Sequence, residues 1–385
     1  MAISQKNLVH SLGVTTFPWR VHNQVKLYIN GESFFPAMLS AILNAKHYVM
    51  LEMYLVESGT VASRFIQTLT EVAERGVKVF LLFDGFGSSG FKSTDRDKLK
   101  HENISLVFYN PLNYGSLRRN LFRDHRKILV VDNNSAFIGG AGITDAFITT
   151  KVDIGWRETM LEVNGECVCD WAKAFSRSWS SYTSVPLPEC EDVRKITTSV
   201  VPCRISCSVG SSRFGIKRSL IKRIRSAERT IWISTAYFVP SMKVRRALVR
   251  AAKRGVDVKL LLPGSKSDHP AIRHAGRRFY YRLLKASIEI YEYQPRFLHQ
   301  KVLLCDSWVS IGSSNIDRWN FRWNLEANQE VENQLFVDEI TEMFNNDFVE
   351  SEKIELDGWQ KRPWYYRLQE WFWGKMDRII DRVLH

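Results

Sequence analysis

The sequence predicts an α/β protein with two similar lobes, each a mixed or largely parallel β-sheet flanked by helices. The chain has 385 residues, which is more than one ordinary hydrophobic core organises. The same order of elements occurs in both halves, and helical patterns alternate with strand patterns as they do in βαβ units. Apolar residues make up 45% of the chain, a share typical of globular proteins.

The first repeated elements are two helix–strand combinations. A helix end followed by a buried strand reads AILNAKHYVMLEMYL from Ala41 and KRIRSAERTIWISTAYF from Lys222. An amphipathic helix, a glycine where a C-cap belongs and a strand rich in Val and Leu follow in each half. This second element reads LTEVAERGVKVFLLFDG from Leu69 and LVRAAKRGVDVKLLLPG from Leu248. The repetition indicates a duplicated α/β unit.

The boundary between the halves is predicted from a segment without periodicity. YTSVPLPECEDVRKITTS, which starts at Tyr182, contains two prolines and mixed charge, and such composition is typical of linkers. We therefore expect a first lobe over residues 1–183, a linker over 184–198, a second lobe over 199–350 and a C-terminal tail over 351–385.

The third repeated element combines histidine and lysine. It reads HRKILVVD from His125 and HQKVLLCD from His299. Because side chains alternate between the faces of a strand, His125 and Lys127 are expected to point the same way, as are His299 and Lys301. An ammonium group offsets the negative charge of a phosphoryl group, and an imidazole can attack phosphorus or donate a proton. The element therefore indicates phosphate chemistry.

An aspartate ends each copy of this element. Asp132 and Asp306 lie an odd number of residues from the histidines, so we interpret them as structural groups that fix the turn that follows. One such element is most often an ordinary sheet edge, but here two copies precede the glycine-containing turns Gly139–Gly140 and Gly312–Ser313. A pseudo-twofold axis would bring both histidines to one phosphate, one as the nucleophile and the other as the general acid.

The doubled element resembles the signature of the phospholipase D superfamily, HxKxxxxD followed by a glycine-rich turn, which occurs twice per active site. The resemblance covers nearly the whole chain. Within the superfamily the chain looks most like bacterial cardiolipin synthases of the short type, which lack N-terminal transmembrane helices. The supporting stretches include LEMYLVES from Leu51, WRETMLEVNG from Trp156, GSSNIDRWNFRWNLEAN from Gly312 and KRPWYYRL from Lys361.

The resemblance implies two phospholipase D-like lobes related by a pseudo-twofold axis, with the active site in the cleft between them. It implies ping-pong phosphatidyl transfer through a covalent phosphohistidine, with no metal and no other cofactor. His125 is the expected nucleophile and His299 the expected general acid. Lys127 and Lys301 are expected to hold the phosphate.

Further site residues follow from the resemblance. A later carboxylate in each half orients the imidazole, so Glu158 and Glu326 are the expected partners of His125 and His299 respectively. Asn315 is expected to bond to the phosphate or to the turn. The expected catalytic set is His125, Lys127, Asp132, Glu158, His299, Lys301, Asp306 and Glu326, and the expected phosphate- or substrate-binding set is Gly140, Ser313 and Asn315.

The sequence also departs from the family pattern. Gly142 stands where an asparagine is usual, and Glu158 stands where an aspartate is more usual. The turn after Asp306 is one residue shorter than the usual pattern. These departures remove no catalytic group, but they make the two halves of the site chemically unequal and leave the choice of nucleophile open.

Charge and the C-terminus indicate the kind of partner. The net charge of +13 predicts a polyanion, either nucleic acid or an anionic membrane. The tail predicts an amphipathic helix with interfacial aromatic residues, although the same stripe could pack against the protein. Together they favour an anionic phospholipid membrane containing phosphatidylglycerol over nucleic acid. The stripe consists of Trp364, Leu368, Trp371, Phe372, Met376, Ile379 and Val383.

The cysteines and the N-terminus complete the expectations. The six cysteines lack zinc-site spacing, so we expect no metal site and reduced structural thiols. The N-terminus does not read as a signal peptide, and we find no uncharged apolar run of about 18 residues. We therefore expect peripheral attachment at the cytoplasmic face of the cell membrane.

The expected activity is that of a cardiolipin synthase, which transfers a phosphatidyl group from phosphatidylglycerol to a headgroup hydroxyl of a second phospholipid. The alternative is a phosphodiesterase that uses water, either a phospholipase or a nuclease. A membrane-binding module with an inactive site is disfavoured, because both halves retain the histidine and the lysine. The acceptor lipid, the balance of transfer against hydrolysis and the oligomeric state do not follow from the sequence.

Overall fold

In the computed structural model the chain divides into two compact units. The structure describes residues 16–113, 115, 119–151, 154–190, 199–209, 213–318 and 320–383. The first unit comprises Met1–Ile216, Ile311–Ser314 and Phe321–Val331, and the second comprises Lys217–Ser310, Asn315–Asn320 and Glu332–His385. Each unit contains a mixed β-sheet flanked by helices, so the predicted α/β class is confirmed.

The elements up to residue 214 alternate between strands and helices in the predicted manner. In chain order they are β1 (Asn23–Ile29), α1 (Gly31–Leu43), β2 (Tyr48–Met53), α2 (Thr60–Glu74), β3 (Lys78–Asp84), α3 (Ser93–Lys98), β4 (Ile104–Tyr109), β5 (Lys127–Val131), β6 (Ser135–Gly139), β7 (Thr159–Gly165), α4 (Cys167–Trp179), β8 (Cys203–Val209) and β9 (Arg213–Phe214). Short 3-10 turns cover Arg119–Leu121 and Asp145–Phe147.

The elements from residue 215 onwards repeat this alternation and end in a long helix. They are α5 (Gly215–Ser226), β10 (Thr230–Ser234), β11 (Phe238–Val239), α6 (Met242–Lys253), β12 (Asp257–Pro263), α7 (Pro270–Arg277), α8 (Tyr280–Leu284), β13 (Glu289–Tyr293), β14 (Val302–Cys305), β15 (Trp308–Gly312), β16 (Ile316–Asp317), α9 (Asn320–Trp323), β17 (Leu325–Glu332), α10 (Gln334–Val349), β18 (Ser351–Lys353), α11 (Leu356–Lys361) and α12 (Trp364–Val383).

The two units use the same local strand pattern. In the first unit the strand order is β1-β7-β6-β5-β2-β3-β4, and β2, β3 and β4 are parallel. In the second unit the order β18-β13-β12-β10-β14 contains the parallel strands β10, β12 and β13. In both units the strand that follows the motif histidine, β5 or β14, pairs antiparallel with the first parallel strand, β2 or β10. The motif therefore occupies an equivalent position in each unit.

The glycines after α2 and α6 confirm the predicted C-caps. Gly76 has φ +91° and Gly255 has φ +89°, a left-handed conformation that glycine adopts without a Cβ clash. Each glycine thus ends its helix and turns the chain into the parallel strand that follows.

The hydrophobic core of the first unit contains packed aromatic rings, and the ring centroids of Phe35 and Phe65 lie 5.9 Å apart. Burial of each large apolar side chain stabilises the fold by roughly 1.5–3 kcal/mol.

The division into units differs from the predicted domain boundaries. Ile311–Ser314 and Phe321–Val331 come from the second half of the sequence but belong to the first unit. The physical reason is backbone pairing with the first half of the sequence, because Leu325 at the start of β17 bridges to Asp124 and the amide of Arg20 donates to the carbonyl of Cys203 in β8 at 2.8 Å. Part of the predicted linker, residues 191–198, lies outside the described residues.

The cysteine expectation is wrong for one pair. Cys169 of α4 and Cys190 of the predicted linker form a disulfide, with their Cα atoms 5.6 Å apart. The two residues are separated by 21 positions in the sequence, and their proximity depends on the path of the chain after α4. The other four cysteines are free and buried, as expected for structural thiols. In the described part of the chain, no helix combines the length and the apolar character that a membrane crossing requires.

Candidate active site

The histidine–lysine pairs lie at the entrances of β5 and β14 rather than within these strands. β5 begins at Lys127, and β14 begins at Val302, so both histidines precede the regular strand. The expectation that both pairs lie on strands is wrong in this detail, because the ladder pairing starts only at or after the lysines. The short segments before the strands nevertheless keep histidine and lysine together.

In the first unit His125 and Lys127 lie against the same aromatic ring. The ring centroid of Tyr54 is 4.6 Å from that of His125, and the Nζ of Lys127 is 5.1 Å from the Tyr54 centroid. The same Nζ donates a hydrogen bond of 2.6 Å to the carbonyl of His125. The predicted placement of both side chains on one side of the backbone is confirmed for this pair.

The imidazole of His125 is held by a buried carboxylate. Its Nδ1 lies 2.9 Å from Oε1 of Glu326, and its side chain is 13% exposed whereas that of Glu326 is fully buried. The backbone amide of His125 also donates to the carbonyl of Leu325 at 2.9 Å. A carboxylate at Nδ1 fixes the tautomer that leaves Nε2 as the reactive nitrogen, and it stabilises the imidazolium. The geometry therefore suits a histidine that attacks through Nε2.

This contact corrects the expected pairing of carboxylates and histidines. Glu326 was expected to orient His299, but it contacts His125, the histidine of the other sequence half. The cause is the placement of β17 in the first unit, where the amide of Leu325 donates to the carbonyl of Arg123 at 2.9 Å. Equivalent positions in a duplicated sequence suggested pairing within each half, whereas the structure brings Glu326 of the second half to His125 of the first half.

Ser313 supports this carboxylate. Its hydroxyl donates to Oε2 of Glu326 and accepts a hydrogen bond of 3.1 Å from the amide of Ala327. Ser313 was expected to bind phosphate or substrate, but in the structure its hydroxyl donates to the carboxylate that contacts His125. The serine in the second turn thus positions a catalytic group through one intermediate side chain.

Glu158 and Gly140 pack against each other. Glu158 is fully buried, and the amide of Thr159 donates to its Oε1 at 2.9 Å. A Cβ at position 140 would collide with the carboxylate of Glu158, so the glycine makes room for the acidic side chain. Glu326 is the carboxylate at Nδ1 of His125, and an orienting role of Glu158 stays a prediction.

The second unit holds the other pair in close contact. The Nζ of Lys301 lies 2.9 Å from Nδ1 of His299 and also donates to the backbone carbonyl of His299. His299 is 7% exposed and Lys301 is 1% exposed, so a reactant would meet a nearly dehydrated imidazole. Burial strengthens the electrostatic effect of the neighbouring ammonium on any phosphate that enters. The predicted common orientation is confirmed for this pair too.

Asn315 was expected to bond either to the phosphate or to the turn, and in the structure it makes hydrogen bonds within the turn region. Its Oδ1 accepts from the hydroxyl of Thr235 at 3.2 Å and from the amide of Tyr237 at 3.4 Å. The side chain is fully buried. Asn315 therefore ties the loop after β15 to the end of β10.

The two motif aspartates have the expected structural role but anchor a different segment. The amides of residues 46–48 donate to Asp132 at 2.8–2.9 Å, and those of residues 228–230 donate to Asp306 at 2.9–3.0 Å. Both aspartates have positive φ, 49° and 51°. They fix the starts of β2 and β10 rather than the turns that follow them, and their carboxylates are used by backbone amides rather than by the histidines.

A buried ionic cluster beside His125 was not anticipated from the sequence. Nε of Arg126 lies 3.2 Å from Asp124, and its guanidinium also contacts Glu52 near the end of β2. Burial raises the pKa of Glu52, while Arg126 helps to lower the pKa of Asp124 against the effect of burial. The cluster fixes the backbone on both sides of His125. The sequence feature that could have indicated this cluster is the run of charged residues that flank His125 in RDHRK.

No arrangement for a metal ion was found among the described residues. In that part of the chain no group of three or more His, Cys, Asp or Glu side chains has the proximity that metal ligands need. The positive charge near each histidine comes from a lysine at two positions further along the chain.

Comparison with known families assigns the chain to one of them. The family model described as "Cardiolipin synthase, PLD-like domain" matches residues 38–179 and 220–348, so each match contains one histidine–lysine pair. The chain belongs to the cardiolipin synthase family. Family membership accounts for the duplicated elements and for the equivalent positions of the motif in the two units.

Individual members of the cardiolipin synthase family match over most of their length. The chain is 32% identical over 359 residues to the probable cardiolipin synthase YwiE of Bacillus subtilis, with 91% of this chain and 71% of that protein covered. It is 33% identical over 362 residues to the cardiolipin synthase of Clostridium perfringens, with coverages of 90% and 75%. Cardiolipin synthase A of Pseudomonas putida strain GB-1 is 31% identical over 375 residues, with coverages of 96% and 77%.

Solved structures support the fold of this cardiolipin synthase family member. The crystal structure of phosphatidylserine synthase from Haemophilus influenzae Rd KW20 matches with a TM-score of 0.69 and 12% identity, covering 98% of both chains. Polyphosphate kinase from Porphyromonas gingivalis matches with a TM-score of 0.59 and 16% identity, covering 87% of this chain and 49% of the kinase. At these identities the likeness shows a shared two-lobed α/β fold and nothing about the substrate.

Proposed function

We propose that this protein is a cardiolipin synthase that transfers a phosphatidyl group from phosphatidylglycerol to a headgroup hydroxyl of a second phospholipid. The observation that carries the proposal is His125, whose Nδ1 lies 2.9 Å from the buried Glu326 and whose neighbour is Lys127. This is the arrangement that a nucleophilic imidazole requires. The names and coverage of the curated relatives support the choice of reaction.

The proposed reaction has two steps and uses both motif histidines. Nε2 of His125 attacks the phosphorus of phosphatidylglycerol, and the bond from phosphorus to the glycerol oxygen breaks. His299 donates a proton to that oxygen, so glycerol leaves. The hydroxyl of a second lipid then attacks the phosphohistidine while His299 takes its proton, and the P–N bond breaks to release cardiolipin and His125.

The remaining residues have supporting roles in this proposal. Lys127 and Lys301 offset the charge on the phosphoryl oxygens, where fixed positive groups stabilise the transition state. Glu326, held by Ser313, stabilises the imidazolium of His125 that forms on attack. Glu158 is proposed as a second carboxylate that orients a motif imidazole.

We also propose that the enzyme works as a peripheral protein on an anionic membrane surface at its cytoplasmic face. The support is α12, which faces its own unit with the buried Glu370 and Gly374. Aromatic and aliphatic side chains of the same helix are exposed, an arrangement suited to the bilayer interface. The exposed fractions are 73% for Trp364, 52% for Leu368, 54% for Trp371 and 48% for Phe372.

The proposed function is tested by identifying products. Purified protein is incubated with phosphatidylglycerol vesicles, with single-stranded DNA in parallel tubes, and the products are identified by mass spectrometry. The proposal predicts cardiolipin and free glycerol from the lipid and intact DNA. Phosphatidic acid without cardiolipin would identify a hydrolase, and shortened DNA would identify a nuclease. The His125→Ala variant controls for contaminating enzymes.

A further inference from the structure

The second unit contains a cluster of arginines built around Arg245 of α6. The guanidinium carbon of Arg245 lies 4.3 Å from the ring centroid of the buried Phe279, and that of Arg278 lies 4.5 Å from the same centroid. Two guanidinium groups thus share one aromatic ring, a packing that Arg favours through its planar, delocalised charge. Arg246, Arg282 and Arg318 add further positive charge near Arg245.

Arg245 lies in an electrostatically unfavourable environment. Its Nε is buried, and none of the residues that the structure describes offers it a hydrogen-bond acceptor. Burial and the charges of Arg278, Arg282, Arg318 and Arg246 lower the pKa of Arg245. A buried donor without an acceptor is unfavourable, and the repulsion of like charges adds to this cost. Such a site becomes favourable when an anion with several acceptor oxygens enters it.

The cluster adjoins both the proposed membrane-facing helix and the second motif. Arg278 donates to the backbone carbonyl of Gly374 in α12, and a Cβ at position 374 would lie 2.5 Å from Nη1 of Arg278. α12 is the helix that exposes Trp371 and Phe372. Arg318 follows β16 directly and is three residues from Asn315. An anion bound here would therefore lie beside the helix that is proposed to face the membrane, and one of the nearby arginines, Arg318, is close in sequence to a motif loop.

The chemistry of the proposed reaction needs a second phosphate site. Two phospholipids that are joined each carry one phosphodiester, and the histidines and their lysines serve only the phosphorus that is transferred. The fork of an arginine matches the two free oxygens of a phosphodiester, with shorter and stronger hydrogen bonds than a neutral donor makes. Water and glycerol carry no phosphate, so a hydrolase would have no use for this second site.

We propose that Arg245, Arg278 and Arg282 bind the phosphodiester of the acceptor phospholipid. The inference rests on the proposed cardiolipin synthesis and identifies the acceptor by its anionic phosphate. Phe279 is the aromatic ring that both Arg245 and Arg278 contact, so it keeps these two guanidinium groups close together. The hydroxyl of this anchored lipid is then the group that attacks the phosphohistidine.

The test uses the 385-residue protein. It compares two reactions of the same phosphohistidine. The Arg245→Gln/Arg282→Gln variant is incubated with dihexanoylphosphatidylglycerol below its micelle concentration, so that vesicle binding does not contribute. Cardiolipin formation reports the lipid acceptor, and exchange of radiolabelled glycerol into phosphatidylglycerol reports a phosphate-free acceptor. We expect the ratio of cardiolipin formation to glycerol exchange to fall about tenfold, because charge-assisted bonds to one substrate only are lost.

A matched control removes the same amount of charge from exposed positions of α6. Arg250 and Lys253 are exposed residues of α6, and the Arg250→Gln/Lys253→Gln variant should keep the wild-type ratio. An equal fall of both reactions in the Arg245→Gln/Arg282→Gln variant would overturn the proposal, because the arginines would then serve the donor or the fold. An equal fall of the ratio in the control variant would also overturn it, since general surface charge would suffice.

Two further arms separate the sources of failure. If the wild-type protein makes no cardiolipin, the proposed function fails and this inference fails with it. If the wild type makes cardiolipin and the variant keeps its ratio, only the arginine site is refuted. Thermal melts with dihexanoylphosphatidylglycerol or inorganic phosphate identify the ligand. The lipid should raise the Tm of the wild type more than that of the variant, and such a difference with inorganic phosphate alone would refute a lipid site.

Discussion

The two motif histidines have different immediate surroundings. His125 has a carboxylate at Nδ1 and an aromatic ring beside it, whereas His299 has an ammonium group at 2.9 Å. A carboxylate favours the imidazolium that forms when the ring attacks, and an ammonium opposes it. The carboxylate at Nδ1 supports His125 as the nucleophile on physical grounds that are separate from the family resemblance.

The assignment of the nucleophile can be tested by trapping. With radiolabelled phosphatidylglycerol and acid quenching, the wild type and the His299→Ala variant should retain label on the protein, because attack by His125 remains possible. The His125→Ala variant should retain none. His47→Ala removes an exposed histidine and serves as the control. Label retained on His125→Ala would reverse the assignment, and full turnover in either motif variant would exclude a shared site.

Glu326→Gln tests the orienting carboxylate. The amide keeps the shape of the side chain but cannot stabilise the imidazolium, so formation of the phosphoenzyme should slow by about 10²–10⁴-fold. Rapid-quench labelling measures this step. The control is Glu330→Gln, which removes another buried carboxylate of β17, one paired with Arg204 at 2.7 Å, and should affect melting more than labelling. An unchanged labelling rate in Glu326→Gln would refute the role of Glu326.

Among the elements, the strand–turn–strand unit that carries each aspartate is stabilised in the same way in both units. The single carboxylate of Asp306 accepts three backbone hydrogen bonds at the start of β10. Asp306→Asn should lower the free energy of unfolding by about 1–3 kcal/mol at neutral pH, measured by urea denaturation. Asp338→Asn changes an exposed carboxylate of α10 and should have little effect.

The effect of Asp306→Asn should depend on pH in one direction. Burial acts to raise the pKa of Asp306, but hydrogen bonds from the amides of Glu228, Thr230 and Arg229 outweigh it and lower the pKa. A lowered folded-state pKa gives stability that is complete above the unfolded-state pKa and lost as pH falls through the folded-state pKa. The stability difference between wild type and variant should therefore shrink in acid. A difference that grows below pH of about 4 would contradict this account.

The helix α12 has an unusual distribution of polarity. Its buried contact with the second unit is polar, since Glu370 lies 2.5 Å from Arg362 and 3.8 Å from Arg277, while its aromatic side chains are exposed. The side chains of Ile379 and Val383, which belong to the predicted stripe, lie outside the described part of the structure. For the described members of the stripe, contact with a membrane explains the exposure better than packing against the chain.

Substitution of two stripe residues separates these explanations. Trp364→Ser/Trp371→Ser should weaken sedimentation with phosphatidylglycerol vesicles at least about tenfold, because each buried large apolar side chain contributes roughly 1.5–3 kcal/mol. Its Tm should stay near that of the wild type. Truncation before Lys361 should also weaken vesicle binding. The binding that remains should come from the basic second unit and should be sensitive to salt. Unchanged sedimentation together with a lowered Tm would show that the stripe packs against the protein.

For the whole molecule, the sequence was informative where structure depends on local pattern. The periodic helices, the C-cap glycines Gly76 and Gly255 and the doubled motif all depend on residues close together in the chain. The contact of Glu326 with His125 and the disulfide of Cys169 with Cys190 depend on long-range packing. Nothing near these residues in the sequence encodes their partners, so the pattern could identify a carboxylate but not assign it to its histidine.

The contribution of Glu326 by the second half of the sequence has a consequence for the origin of the protein. A gene fragment that ends in the predicted linker would encode His125 without Glu326, because the carboxylate belongs to the later segment Phe321–Val331. A copy with one motif and this arrangement would therefore complete its nucleophile only with the carboxylate of a second copy. Fusion of two such copies turns an encounter that depends on concentration into a permanent one, and it frees the two copies of the motif to diverge towards separate chemical tasks.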